Sequence, residues 1–414
     1  MSDERTFAIV GASLAGAKAA EALRENGFEG RIVLIGAESE RPYERPELSK
    51  KYLRGEAERD SLYVHDEEHW YEEQEVELRT GTPVTRIDAG ARELELEGGE
   101  RLSFDAALIA TGAEPRRLPV PGADLDGVLY LRTVGDSDAL RARLESGGKV
   151  VVVGAGWIGS EVAASSRQKG LDVTLLEMTE VPLERVLGTE LGAFYRDVHV
   201  GNGVEFLGGT GLESFEGDGR VERVVLSDGR KIDCDFAVVG VGVAPRTQLA
   251  EAAGLELDNG IVVDERLRTS APGVFAAGDV ANAYHPLFER HIRVEHWANA
   301  LNQGPAAARS MLGNEAPYDR VPYFFSDQYD VGMEYSGYAT EWDEVVYRGD
   351  PPFEGSREFV AFWIKDGRVL AGMNVNVWDV TQPIQQMIRS KQPVDLGRLT
   401  DTGVPLEELA PAPA

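Results

Sequence analysis

Short, almost wholly apolar runs recur along the chain: FAIV, RIVLI, ALIA, VVVV, DVTLL, FAVV and VFAA. Runs of four or five apolar residues bounded by glycine or polar turns are too short for helices, and they do not alternate. That pattern predicts strands buried on both faces, as in a parallel sheet. Ala-rich segments with helical spacing follow FAIV and VVVV. Elsewhere the pattern alternates, in RELELEGGERLS and VERVVLSDG, which predicts half-exposed antiparallel strands. From about Pro322 the chain turns to aromatic-rich alternating segments, YFFSDQYDVGMEYSGYA and REFVAFWIKDGRVLAGMNVNV, with one predicted helix near Gln382 to Arg389. The acid-rich stretch from Gly55 to Leu78 reads as a solvated helical face, and the Pro- and Gly-rich EPRRLPVPGADLDG as a crossover between domains.

The two Ala-rich helices are entered through glycine turns. In residues 150–170, VVVVGAGWIGSEVAASSRQKG, Gly154 permits the tight turn, Gly156 lets backbone approach a pyrophosphate, and Gly159 lets helix and strand close up. In residues 7–27, FAIVGASLAGAKAAEALRENG, Gly11 and Gly16 hold the outer positions and Ser13 replaces the middle glycine. Each unit continues into a second strand, with Glu38 and Glu177 placed to accept hydrogen bonds from ribose hydroxyls. Glu177 also repels a 2′-phosphate, and no Arg follows closely, so the second site reads as NADH rather than NADPH. The fold class expected is α/β, with two Rossmann-like dinucleotide-binding domains and a small α+β C-terminal domain. The boundaries expected are 1–113 with 245–321, then 114–244, then 322–414.

Composition narrows the function. A net charge of −29 argues against nucleic-acid and anionic-membrane partners. No apolar run approaches a membrane span and the start lacks a signal-peptide pattern, so a cytoplasmic location is expected. Cys234 is the single cysteine, which excludes an internal disulfide, a redox thiol pair or a four-thiolate cluster within the chain. The His residues show no metal-ligand spacing, and no metal is expected. His291 and His296, flanking a strand-like segment, read as structural.

The motifs GASLAG, RPYERPELSK, ATGAEPR, GAGWIGSE, VGVGVAPRT, GVFAAGDVA, VEHWANALNQG and YFFSDQYD, in this order over nearly the full length, resemble the NADH-dependent ferredoxin reductases of oxygenase systems, whose fold is glutathione-reductase-like. The resemblance implies FAD along the first unit, at Gly11, Ser13, Ala15, Gly16 and Glu38, with Arg45, Lys50, Val84, Thr111, Gly112, Arg132, Asp279, Glu295, His296 and Trp297 completing the pocket. It implies NADH as cosubstrate at Gly154, Gly156, Ile158, Gly159, Glu177 and the turn Gly240, Val241 and Gly242. Many relatives place the first ribose carboxylate directly after the glycine, where this chain has Ala37. Lys50 and Glu161 are the implied catalytic pair: the cation stabilises the charge of reduced flavin and the carboxylate compensates it. The implied partner is a [2Fe-2S] or other small iron-sulfur ferredoxin, serving a P450 or Rieske oxygenase downstream, with the reductase a monomer or homodimer. Arg290, Arg293, Arg309, Arg389 and Lys391 are candidates for a basic docking patch, and Phe325 stands where several relatives carry Trp. A redox-responsive flavoprotein resembling apoptosis-inducing factor, a rubredoxin reductase or an NADH oxidase stay open as alternatives; the peroxide-reducing members use a Cys where this chain offers Lys50.

Overall fold

The run TFAIV forms the strand Thr6–Val10, the centre of a five-stranded parallel sheet in the order Val274–Ala276, Ala106–Ile109, Thr6–Val10, Arg31–Ile35, Val76–Arg79. Ile9 pairs with Leu34 on one side and Leu108 on the other, so the apolar runs align. This computed structural model describes residues 3–65, 67, 69–350 and 357–410. The sheet belongs to one compact unit, Met1–Glu44, Arg59–Glu114 and Val243–Pro322. The helices Leu14–Glu25 and Trp297–Met311 pack against each other in that unit, brought together by small residues. A Cβ on Gly304 would lie 2.2 Å from the Ala15 carbonyl oxygen, and one on Gly278 would lie 3.3 Å from the Ala15 Cβ.

The second unit comprises Arg45–Glu58, Pro115–Gly242 and Tyr323–Ala414. Its parallel sheet repeats the first plan, with Lys149–Val153 central between Asp172–Leu176 and Phe236–Val239, and Val152 paired with both Leu175 and Val238. In each unit a three-stranded antiparallel sheet is inserted before a strand that flanks the central one: Val84–Asp88, Glu93–Leu96 and Arg101–Ser103 before Ala106–Ile109 in one, Leu212–Glu216, Arg223–Leu226 and Lys231–Asp233 before Phe236–Val239 in the other. The mixed α/β organisation read from the sequence is the one observed.

The aromatic-rich C-terminal segments form a five-stranded antiparallel sheet, in the order Tyr323–Gln328, Val331–Gly337, Arg368–Val375, Phe359–Lys365, Glu344–Gly349. One face receives the expected helix, Thr381–Ser390, at Gly372, where a Cβ would meet Ile384 at 2.7 Å. The helix Thr189–Gly201 turns Leu191, Phe194, Tyr195 and Val198 toward Phe324, Met333, Tyr335 and Trp363, an apolar stripe at i, i+3, i+4 and i+7. His199 interrupts that apolar contact. It is fully buried, its Nε2 lies 3.0 Å from Gln328 Oε1, and burial draws its imidazole down to about 4 against the pull of Gln328.

The acidic stretch departs from expectation. Where a solvated helix was read, the chain makes a 3-10 turn Arg59–Leu62, a single helical turn Trp70–Glu73 and the edge strand Val76–Arg79, with residues 66 and 68 outside the described set. The reason is local packing: Trp70 stacks on His65 at 3.5 Å between ring centroids, Tyr71 and Val76 are buried, and these apolar positions are too irregularly spaced for one helix face.

Two outcomes are expected from this packing. Gly304→Ala destabilises the protein by roughly 1–3 kcal/mol, because backbone rather than a flexible side chain occupies the space, and thermal unfolding reads this directly. For His199 the folded state binds a proton less readily than the unfolded chain, so its contribution is complete above about pH 6.5 and is lost as the pH falls toward 4. A His199→Gln variant therefore loses less stability than the parent between pH 7.5 and about 4.5, by about 3 kcal/mol in denaturant titrations. Parallel pH profiles would contradict the assignment.

Candidate functional site

The first glycine turn closes through contacts that only glycine satisfies. Gly11 has φ +122°, and a Cβ there would lie 2.1 Å from the Ala110 carbonyl oxygen; a Cβ on Gly16 would lie 2.0 Å from that of Gly11. The turn is thus locked against Ala110, bringing Thr111 and Gly112 beside it, where the Thr111 hydroxyl donates to the Arg246 carbonyl at 2.9 Å. Ser13 is the N-cap of the helix Leu14–Glu25 in an extended conformation, yet its hydroxyl does not cap that helix. The first-turn amides of a helix have no partner within the helix, so this N-terminus offers donors and a partial positive charge to an anion.

Ala15 links that N-terminus to the turn Gly278–Val280, fixed by a hydrogen bond from Gly278 N to Gln303 Oε1 at 2.8 Å, and so places Asp279 nearby. His296 occupies the N-cap position of the helix Trp297–Met311 without a side-chain capping bond, and desolvation draws its imidazole down to about 4, with Asp279 pulling the other way. Trp297 Nε1 donates to Glu44 at 3.0 Å. Glu38 lies three residues beyond the strand Arg31–Ile35 and accepts from the Tyr43 hydroxyl at 2.5 Å. Val84 begins the strand Val84–Asp88 and packs on the core of this unit. Arg45, Lys50 and Arg132, assigned with these residues from the sequence, belong to the second unit, where the Arg45 guanidinium donates to the Arg132 carbonyl.

The second glycine turn has the same closure and one opening. A Cβ on Gly154 would lie 2.5 Å from the Gly240 carbonyl oxygen and one on Gly159 only 1.9 Å from that of Gly154, whereas a Cβ on Gly156 would meet nothing within 4 Å. Close packing at the outer positions and open space at the middle one is the shape a bound pyrophosphate needs. Glu177 directly follows the strand Asp172–Leu176 and braces the turn: one oxygen accepts from Ala155 N at 2.7 Å, the other from Met178 N at 2.8 Å and Thr179 N at 3.2 Å. Ile158 and Met178 are 47 % and 71 % exposed, unusual for large apolar side chains and available to flat ring surfaces. Gly240 packs on Gly159, and Gly242 is left open after Val241.

Lys50 and Glu161 meet in this unit. Lys50 ends the turn Pro46–Ser49, pinned to two helices by hydrogen bonds from Ser165 Oγ to the Ser49 carbonyl at 2.7 Å and from Ser137 Oγ to the Leu48 carbonyl at 2.8 Å. Glu161 lies on the helix Trp157–Gln168. Their ion pair measures 2.8 Å with side chains 6 % and 3 % exposed. Lys50 Nζ also donates to the Pro46 carbonyl at 3.1 Å and lies 5.6 Å from the centre of the Phe325 ring. Glu161 accepts further hydrogen bonds from Ser49 Oγ at 2.5 Å and Ser326 Oγ at 2.7 Å.

Ser49, Ser326, Gln328 and His199 were not read from the sequence as site residues. The available signal was Ser326 and Gln328 at alternate positions of YFFSDQ, on the buried face that also carries Phe324. Two expectations change. Arg293 is withdrawn from the docking patch, because its side chain is only 9 % exposed and pairs with Glu295. His291 sits within the strand Arg290–Arg293 rather than beside it.

Residues 5–304 match the family "Pyridine nucleotide-disulphide oxidoreductase" and residues 323–410 the family "Reductase C-terminal". The chain is 36 % identical to putidaredoxin reductase of Pseudomonas putida, over 98 % of this chain and 96 % of that protein. It is 40 % identical to the ferredoxin–NAD(+) reductase subunit of a benzene 1,2-dioxygenase system of Pseudomonas putida, over 89 % and 88 %. Among solved structures it superposes with TM-score 0.93 on the covalent putidaredoxin reductase–putidaredoxin complex, at 36 % identity over 99 % and 98 % of the chains. Against the ferredoxin reductase for a P450 system of Rhodopseudomonas palustris, the TM-score is 0.94 at 38 % identity over 98 % and 100 %. With two glycine turns of matching closure and relatives that span its length, the chain belongs to the pyridine nucleotide-disulphide oxidoreductases, in the branch of the oxygenase-system ferredoxin reductases.

Proposed function

We propose that this protein is an FAD-dependent NADH:ferredoxin reductase, passing electrons to a small iron-sulfur ferredoxin that supplies a P450 or Rieske oxygenase. The observation that carries the reading is the buried Lys50–Glu161 pair, set between the turn Pro46–Ser49 and the second glycine helix, in a chain alike over its length to such reductases. FAD held there would supply the exchange between hydride transfer from NADH and single-electron transfer to the ferredoxin. Gly11, Ser13, Ala15 and Gly16 would hold its pyrophosphate at the helix N-terminus, with Glu38 on the ribose. Val84, Thr111, Gly112, Asp279, Glu295, His296 and Trp297, together with Arg45 and Arg132, would complete its binding. Gly154, Gly156, Ile158, Gly159, Glu177 and Gly240 to Gly242 would hold NADH.

Lys50 contributes a fixed positive charge rather than a proton to transfer. A buried ammonium is tolerable only with a paired carboxylate, and Glu161 supplies it. Glu177 selects the nucleotide: its carboxylate, already accepting three backbone amides, retains lone-pair capacity for ribose hydroxyls and repels a 2′-phosphate. A cytoplasmic location fits this reading. Among the described residues, no helix is long and apolar enough to cross a membrane.

Stopped-flow reduction of the purified flavoprotein by NADH and NADPH, followed by turnover with a panel of ferredoxins, tests the function. Fast NADH-selective bleaching relieved by a ferredoxin is expected; bleaching that no ferredoxin relieves would refute the reductase assignment. Glu177→Ala should raise the KM for NADH and narrow the preference over NADPH by at least about tenfold, the effect of about 1.4 kcal/mol of lost discrimination. Lys50→Met should slow flavin reduction on the order of 100-fold and destabilise the fold by about 3 kcal/mol. Lys50→Met combined with Glu161→Met should recover most of that stability without recovering the rate, which separates the packing role of the pair from its chemical one.

A further inference from the structure

Behind Glu161 the buried polar atoms form a line. Ser326 Oγ is 2.7 Å from Glu161 Oε1, Gln328 Nε2 is 3.3 Å from Ser326 Oγ, His199 Nε2 is 3.0 Å from Gln328 Oε1, and the Tyr329 hydroxyl is 3.4 Å from His199 Nδ1. Ser326, Gln328 and His199 are each at most 1 % exposed. Donor and acceptor chemistry fixes the direction of every bond. A carboxylate in an ion pair only accepts, so the Ser326 hydroxyl donates to Glu161. Ser326 Oγ then receives the Gln328 amide N–H, which turns the Gln328 carbonyl toward His199. That carbonyl can only accept, so His199 carries its proton on Nε2, and Nδ1 is left to accept from Tyr329. Burial keeps the imidazole neutral, as this tautomer requires. All four bonds therefore point the same way, with their positive ends toward Glu161, and bonds aligned head to tail polarise one another.

We propose that Ser326, oriented by Gln328 and His199, is a positioning residue for the Lys50–Glu161 pair: the aligned chain offsets the carboxylate's charge and fixes its rotamer, so that the Lys50 ammonium keeps its place and its field. The inference rests on the reductase reading given above. The line contains no redox group and moves no proton. Its effect is electrostatic, exerted through Glu161, and extends the site to a helix and a strand that touch neither nucleotide turn in sequence.

The test measures the midpoint potential of bound FAD by equilibration against reference dyes, alongside stopped-flow reduction by NADH. Ser326→Ala removes a donor aimed at a negative charge, leaving the site more negative and the flavin harder to reduce. The equilibrium constant for two-electron reduction should fall about tenfold, a shift of about 30 mV to lower potential. Hydride transfer should slow to a similar degree with the KM for NADH within twofold of the parent. Ser326→Thr keeps the hydroxyl and should restore both. Gln328→Leu leaves Ser326 in place without the donor behind it and should shift the potential in the same direction by less. Should Ser326→Ala fail to retain flavin, Gln328→Leu carries the same test. A parent-like potential in the alanine or leucine variant that retains flavin overturns the inference while leaving the reductase reading intact, whereas a parent protein that NADH does not reduce overturns that reading first.

Discussion

A carboxylate shut away from water at 3 % exposure sets conditions on everything around it. Unmet, its charge would cost several kcal/mol, a large share of a domain's ordinary stability. Glu161 meets the condition with donors from segments 112 and 165 residues away, Ser49 and Ser326, together with the Lys50 ammonium. The turn Pro46–Ser49, the helix Trp157–Gln168 and the strand Tyr323–Gln328 must therefore be seated together for all three donors to reach the one carboxylate. Secondary pins follow the same logic, since Ser165 and Ser137 spend their hydroxyls on the carbonyls of that one turn. The apolar contact between Thr189–Gly201 and the C-terminal sheet brings the strand close, and the polar cluster fixes its register.

The two glycine turns show one solution applied to two surroundings. In both, the first glycine opposes a carbonyl of the neighbouring strand's exit, and the last opposes the carbonyl of the first, at about 2 to 2.5 Å from any added Cβ. They diverge in what lies beyond. The first turn is clasped through Ala15 by Gly278 and Gly304, which seats a helix N-terminus against the turn that carries Asp279. The second is backed by Gly240 and braced by Glu177, leaving Gly156 open and Ile158 and Met178 exposed. The crowded turn suits a ligand held permanently, and the open one a ligand that comes and goes.

What the sequence revealed and what it hid follow from the range of the forces involved. Gly154, Gly156 and Gly159 were legible because their constraint is local: a strand, a turn and a helix within twenty residues. The parallel strands were legible for the same reason, since burial on both faces leaves an unbroken apolar run. The stretch around Trp70 was misread because its acidic residues outnumber the few buried anchors, His65, Tyr71 and Val76, that decide its path. Arg293 was taken as a surface cation because composition carries no burial, and its carboxylate partner lies two residues on. The shell around Glu161 was invisible for a different reason. Ser326, Gln328 and His199 are ordinary polar residues whose meaning appears only when strands and helices distant in sequence are placed side by side.

The family's name joins pyridine nucleotides to disulphides, yet this chain has one cysteine. Cys234 is buried, and burial with help from Asp235 and Asp233 pushes its thiol up to about 12, so it is not a nucleophile near neutral pH. No thiol of this chain can therefore form and release a covalent adduct in the course of electron transfer. Lys50 supplies a charge at the turn that precedes the short helix Lys51–Arg54, and a charge is not consumed by the reaction it assists. That difference suits the proposed task. An electron pair that arrives together and leaves in two separate events needs an environment that is the same before, between and after the departures. A covalent partner would have to be resolved between them, whereas a buried, fully bonded ion pair stays as it was.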